Sequence, residues 1–190
     1  QETPYLIFKK KYDEALDADQ KNIEAIAISS YNKENNEVDS RFVNLKFVDD
    51  NKFIFFSNYN SPKSTAFSSH NQISALLYWP SINFQIRMKA KINKTPKEYN
   101  NEYFKKRSID KNALAISSNQ SAPIKSYEDV KKNYFDSLNS DYLSDCPDYW
   151  GGYSFIPYYF EFWEGHDSRL NKRDIHEMIH NEWHHYILQP

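Results

Sequence analysis

The chain has 190 residues, 39% of them hydrophobic and 17% aromatic, which suits one compact core, and its 3 Gly exclude a Gly-rich phosphate loop. A formal net charge of -2 removes any global electrostatic reason to expect nucleic acid or an anionic membrane as partner. A single cysteine, Cys146, excludes an intrachain disulfide and a thiolate metal cluster; with no apolar run of about 20 residues and no signal-peptide pattern in "QETPYLIFKKKYDEA", the reading is a cytoplasmic protein.

In chain order, Tyr5, Phe8, Tyr12 and Leu16 recur at helical spacing behind Pro4, which predicts an N-terminal amphipathic helix. The period then shortens. "EAIAISSYN" is a short apolar run, "DSRFVNLKFVDDNKFIFFSNYN" alternates around an Asp-Asp-Asn turn, and "QISALLYWP" and "NFQIRMKAKIN" follow as strands. Short connections between consecutive strands predict an antiparallel meander. Helical signals return between Thr95 and Leu138: Thr95-Pro96 opens one helix toward Arg107, and Ser126 caps "YEDVKKNYFDSL". "GGYSFIPYYFEFWEG" reads as strand again. With no repeats and no long linker, residues 1–190 are expected to form one mixed domain on an antiparallel sheet or barrel.

Two local features invite chemistry. In "SRFVNLK", Arg41, Val43 and Leu45 share one face of a strand, with Phe42, Asn44 and Lys46 on the other. The turn after "FFSNYNSPK" carries Ser57, Ser61 and Lys63, the hydroxyls and ammonium that hold a phosphate without a Walker loop. The tail contains His176-Glu177-Met178-Ile179-His180, an H-E-x-x-H match, and Ile175, Ile179, Trp183 and Tyr186 fit helical spacing. A third zinc ligand is lacking except on that same helix, where His184 and His185 cannot wrap one ion; no metal is expected.

Seven segments carry a resemblance: "SRFVNLK", "FIFFSNYNSPK", "ALLYWPSINFQIR", "YFKKR", "SNQSAPI", "PDYWGGY" and "EFWEGHDSRLNKR". In this order and spacing the chain resembles the pyridoxine (pyridoxamine) 5'-phosphate oxidase family over essentially its whole length. The resemblance implies an α+β, mainly β fold, an antiparallel split β-barrel with peripheral helices, and a homodimer with FMN at the subunit interface. It assigns FMN contacts to Arg41, Lys46, Phe56, Ser57, Lys63, Gln85, Gln120, Ser121, Trp163 and Arg173. The phosphorylated B6 vitamer falls to Lys46, Tyr103, Arg107, Lys111, Arg169 and Asn171, with Arg169 and Asn171 nearest the reacting carbon. The tail becomes a closing hairpin with Asn181-Glu182 at or near its turn, Trp183, Ile175 and Ile179 inward and the histidines in solvent.

The chain departs from the family pattern at Pro62, where an Arg is usual, at Lys111 for Ser, at Asn171 for His, and at Leu114 and Ile116 for Gly and Trp. The implied reaction passes a hydride from the substrate's C4' to FMN, which O2 reoxidises with release of hydrogen peroxide. Two other readings stand beside it: a diverged flavoprotein with another substrate, and a non-catalytic module that binds flavin.

Overall fold

The computed structural model describes residues 3–190. Residues 1–2, where the expected domain begins, lie outside the described residues. Strand follows strand without a parallel pair, and the helices sit between them, which is the α+β, mainly β architecture expected. The first is α1 (Pro4–Asp17), whose Phe8 and Ala15 are buried. Four strands come next: β1 (Ala25–Asn32), β2 (Glu37–Asn44), β3 (Phe47–Asp49) and β4 (Lys52–Asn58). Then α2 (Pro62–Ser69) leads to β5 (Gln72–Trp79) and β6 (Phe84–Lys94). Three helices, α3 (Lys97–Lys106), α4 (Ile109–Ser117) and α5 (Tyr127–Leu138), precede β7 (Trp150–Glu164), β8 (Lys172–Ile179) and β9 (Glu182–Ile187). No helix among the described residues is long and apolar enough to cross a membrane.

The sheet runs β2-β1-β5-β6-β7-β4-β3, with β8 on β7 and β9 on β8. The meander expectation holds for direction and fails for neighbours: β4 and β5 are consecutive, yet α2 carries the chain across, so β5 pairs β1 and β4 pairs β7. β7 organises the split. One edge pairs β6 over Tyr153–Glu164; the other pairs β4 over Trp150–Phe155 and then β8 over Tyr159–Glu164. The register shifts between Lys89 and Ala90, opposite Pro157 and Tyr159, so Tyr158 is the extra residue of a bulge. Proline has no N–H to give a ladder, and a bulge is where a sheet accepts one. Parity flips across it: Tyr153 and Phe155 enter the core before the bulge, Phe160 and Phe162 after it.

The core is a stack of aromatic and β-branched residues from both halves of the sheet. Phe53 lies 5.3 Å from Phe155, and Phe8 of α1 meets Phe53 edge-on at 5.0 Å. Burying each such ring contributes about 1.5–3 kcal/mol. The turn expected after β4 opens α2: Pro62 occupies the first helical turn and Lys63 follows it. Ser126 caps α5 as expected, accepting from the Asp129 N–H at 3.1 Å.

The tail is the expected hairpin, turning at His180–Asn181. Its faces need correction. Trp183 packs on Phe160 at 5.8 Å, as expected, but His176 is on that same side, buried against the Phe162 ring at 5.8 Å. Ile175 is buried on the opposite face, and Ile179 is 38% exposed. Pairing with β7 decides this, because Phe160 sits opposite His176 and fixes the parity of β8. The H-E-x-x-H match is thus strand and turn, where His176 and His180 are not stacked one helical turn apart.

Candidate active site

β2, β4, α2, α3 and the segment after α4 enclose a cleft of about 510 Å³. It is lined by Arg41, Lys46, Phe56, Ser57, Lys63, Tyr103, Arg107, Lys111, Gln120 and Ser121. These ten expected site residues therefore converge. Lys46 reaches the same cleft as Arg41 although strict alternation separates them, because β2 ends at Asn44 and Lys46 has already turned to give its N–H to Ile54 O at 2.8 Å.

At the base, Lys63 is 8% exposed. Its Nζ donates to Ser57 Oγ at 3.2 Å and Ser61 Oγ at 3.3 Å, and among the described residues no carboxylate lies within ion-pair distance of it. Burial, then the positive charge of Arg41, pushes its ammonium pKa below the ordinary value. Arg41 is aimed by its strand neighbours: one Nη donates to Ser30 Oγ at 2.8 Å and Ile28 O, the other to Asp39 Oδ2 at 2.7 Å. Gln120 ties the wall to β4, its Oε1 accepting from Ser57 Oγ at 3.3 Å and from the Asn58 N–H at 3.2 Å. Ser121, beside it, also lines the cleft and has φ 69°, in the left-handed region.

The other wall is aromatic. Phe56 stacks on Tyr103 at 4.0 Å and on Trp150 at 5.1 Å, joining β4, α3 and β7. Arg107 lies 4.4 Å over the Trp150 ring and donates to Asn112 Oδ1 at 3.1 Å. Asn112, 2% exposed, in turn donates to Phe104 O and Leu143 O, both at 2.9 Å, so the end of α3 and the start of α4 share one anchor. Burial lowers the Arg107 pKa and raises that of Tyr103. The helix that bears Tyr103 and is capped by Arg107 is fastened at its start, where Asn100 accepts the Gly152 N–H at 2.9 Å and donates to Tyr59 Oη at 3.0 Å. A Cβ on Gly151 meets Tyr59 and Asn100, so a glycine is needed for this close approach.

Gln85, Trp163, Arg169, Asn171 and Arg173 do not line this cleft. Gln85, Trp163 and Arg173 stand opposite one another across β6, β7 and β8, on the face turned away from the core. Arg169 and Asn171 lie in the loop between β7 and β8. Behind Arg173 is Glu161, 2% exposed, which accepts from Arg173 Nε at 2.8 Å, Arg87 Nη1 at 2.9 Å and Tyr159 Oη at 3.2 Å. Burial alone pushes this carboxyl pKa up; the Arg173 hydrogen bond and the charge of Arg87 outweigh it and hold the pKa below the ordinary value.

Sequence reasoning missed Asp39, Asn112, Trp150 and Glu161 as parts of this machinery. Trp150 and Glu161 sit inside quoted motifs and were open to notice. Asp39 and Asn112 are ordinary exposed types in a sequence, and only their contacts reveal them.

Comparison with known proteins gives a consistent result. A family model described as the pyridoxine 5'-phosphate oxidase C-terminal dimerisation region matches residues 150–190. Pyridoxine/pyridoxamine 5'-phosphate oxidase 1 of Hydrogenovibrio crunogenus is 33% identical over 174 residues, covering 91% of this chain and 80% of that protein. Among solved structures, PhzG from Burkholderia lata 383, in complex with tetrahydrophenazine-1-carboxylic acid, superposes with a TM-score of 0.92 at 24% identity, covering 100% of this chain and 94% of that one. A pyridoxamine 5'-phosphate oxidase-related, FMN binding protein from Nostoc punctiforme gives 0.81 at 13% identity, with 100% of both chains covered. The two structures share the fold, and the sequence relationship across nine-tenths of the chain carries the rest: the chain belongs to the pyridoxine/pyridoxamine 5'-phosphate oxidase family, a family of oxidoreductases.

Proposed function

We propose that the protein is an FMN-dependent oxidase that converts pyridoxine 5'-phosphate or pyridoxamine 5'-phosphate to pyridoxal 5'-phosphate. The observation that carries this reading is Lys63: a buried ammonium with two serine hydroxyls and, among the described residues, no carboxylate within ion-pair distance, beside a second anchored cation, Arg41. A buried cation without a counter-charge is costly, and a phosphate dianion supplies that charge. The cleft therefore fits the FMN phosphate, held by Lys63, Arg41 and Ser57. Lys46, Tyr103, Arg107 and Lys111 line the same cleft and fit a second phosphate, that of the substrate.

The division of expected contacts between cleft and outer face supports a two-protomer site. One protomer brings its cleft; the other brings Gln85, Trp163 and Arg173 with the loop of Arg169, all on or beside the segment that matches the dimerisation region or the strand paired with it. This is the homodimer with cofactor at the interface.

FMN held by Lys63, Arg41 and Ser57 would supply a two-electron acceptor for oxidation at the substrate C4', with O2 as the terminal oxidant, so that pyridoxine phosphate and O2 would yield pyridoxal phosphate and H2O2. With the amine substrate, water is also consumed and ammonia released. The protein positions and neutralises: cations on both phosphates fix the substrate along the cleft, and Arg169 covers the reacting carbon. The test is anaerobic addition of pyridoxine 5'-phosphate to FMN-loaded protein while flavin absorbance is followed. Bleaching that reverses in air is expected. An unchanged spectrum with flavin bound refutes the oxidase reading and leaves flavin binding.

A further inference from the structure

Arg169 is presented by an exposed loop that is fastened to the rest of the protomer at its start, where the Gly165 N–H donates to Asn83 O at 3.0 Å. Residues 166–170 are all exposed, so no packing selects its conformation. Arg169 nevertheless has φ 60°, a left-handed backbone that costs a non-glycine residue about 1 kcal/mol. Three hydrogen bonds, all internal to the loop, hold it there. The Arg169 N–H donates to His166 O at 2.8 Å, the Ser168 N–H donates to His166 Nδ1 at 3.1 Å, and the His166 N–H donates to Asn171 Oδ1 at 3.0 Å. The last is the clasp, because it alone ties the start of the loop to its end, where β8 begins. It also spends the carboxamide oxygen of Asn171 on the backbone.

We propose that Asn171 is a positioning residue which acts through this loop and not on the substrate: its Oδ1 clasps the His166 N–H, keeps Arg169 left-handed, and so sets the direction in which the guanidinium leaves the loop. This rests on the reading that Arg169 covers the substrate. It replaces the expectation that Asn171 itself meets the pyridine ring. It also gives physical content to an Asn at this position: a short side chain with a carbonyl acceptor reaches the N–H five residues earlier without leaving the loop.

The experiment is a double-mutant cycle on the FMN-loaded protein with N171A, N171D, R169A and R169A/N171A. Two quantities are read: kcat/KM for pyridoxine 5'-phosphate, and the dissociation constant of pyridoxal 5'-phosphate from equilibrium titration, which remains measurable where turnover is slow. Removing one exposed hydrogen bond of this kind shifts the loop population by about 3- to 10-fold, so N171A is expected to lose that factor in both readings. N171D keeps an acceptor oxygen at the same point and recovers most of the loss. In the R169A background, N171A adds less than about two-fold, since the residue it positions is gone. If N171A costs the same factor with and without Arg169, or if N171D is as impaired as N171A, Asn171 acts directly on the ligand or elsewhere and the proposal fails. If R169A alone leaves both quantities at the wild-type level, the reading of Arg169 falls first, and the proposal falls with it.

Discussion

Lys63→Met separates a binding role from a structural one, because the two roles predict opposite signs. The side chain is 8% exposed and its ammonium meets two serine hydroxyls, the charge of Arg41 and, more weakly, that of Asp39, with no carboxylate at ion-pair distance among the described residues. Methionine fills similar volume without the charge. Neither serine is stranded: Ser57 Oγ still donates to Gln120 Oε1, and Ser61 Oγ still donates to Asn58 O at 2.8 Å. Removing an uncompensated buried charge at conserved volume stabilises by about 1–2 kcal/mol, the lower part of the range for replacing buried ions by apolar groups. The same change removes a charge-assisted hydrogen bond to a phosphate, worth about 1.5–3 kcal/mol, or about 10- to 150-fold in FMN affinity. Urea unfolding of the FMN-free protein and a fluorescence-quenching titration with FMN read the two effects. The pH dependence carries a further sign. Because the folded pKa of Lys63 lies below its ordinary 10.5, the unfolded chain binds the extra proton between those values, so the stability of wild type relative to K63M rises with pH there. A K63M protein that is less stable and binds FMN unchanged would refute the assignment of Lys63 as a phosphate ligand.

Glu161→Gln places an amide N–H against at least one of two arginine donors, so a loss of about 2–3 kcal/mol in urea unfolding at pH 7 is expected, less where the partly exposed arginines find water. The carboxyl pKa is depressed, so its contribution is fully present above the ordinary 4.5 and disappears as pH falls through the lower folded value; wild type and E161Q converge in that acid window, and a difference that persists below it counts against the ion-pair account. R107A and R169A fall on opposite sides of the proposed two-protomer site. Each alone should be nearly inactive, yet co-expression gives about half hybrid dimers with one intact site each, hence about a quarter of wild-type activity. A mixture no more active than its parents would show that both clusters serve the same protomer's site.

Local pattern made the strands β1, β5 and β6 legible, since their buried residues alternate without interruption, and the caps at Pro4 and Ser126 announced their helices. The family resemblance named fifteen site residues, and the fold brings ten of them to one cleft. What escaped was set by pairing at long range. The crossing of β4 to β7 depends on α2, whose Ser-Pro start reads equally well as a turn. The faces of β8 depend on the bulge after Pro157, which reverses parity in β7 before β8 docks against it. Apolar type therefore placed Ile179 inward and His176 outward, while register placed them the other way. Asn171 shows what a sequence leaves out at a site: its residue type suggested a donor to substrate, and only the folded loop reveals that its oxygen also accepts the His166 N–H.

The stacking of Arg107 on Trp150 also makes the cleft optically self-reporting. An indole's emission shifts with the charge beside it, and here a full positive charge sits 4.4 Å over the ring, on the same guanidinium that would turn toward an arriving anion. Of the 4 tryptophans, Trp150 is the one lining the cleft, while Trp79 is sealed in the core. If the cleft takes a phosphate as proposed, its occupancy would be written into the protein's intrinsic fluorescence, with no label and no turnover required.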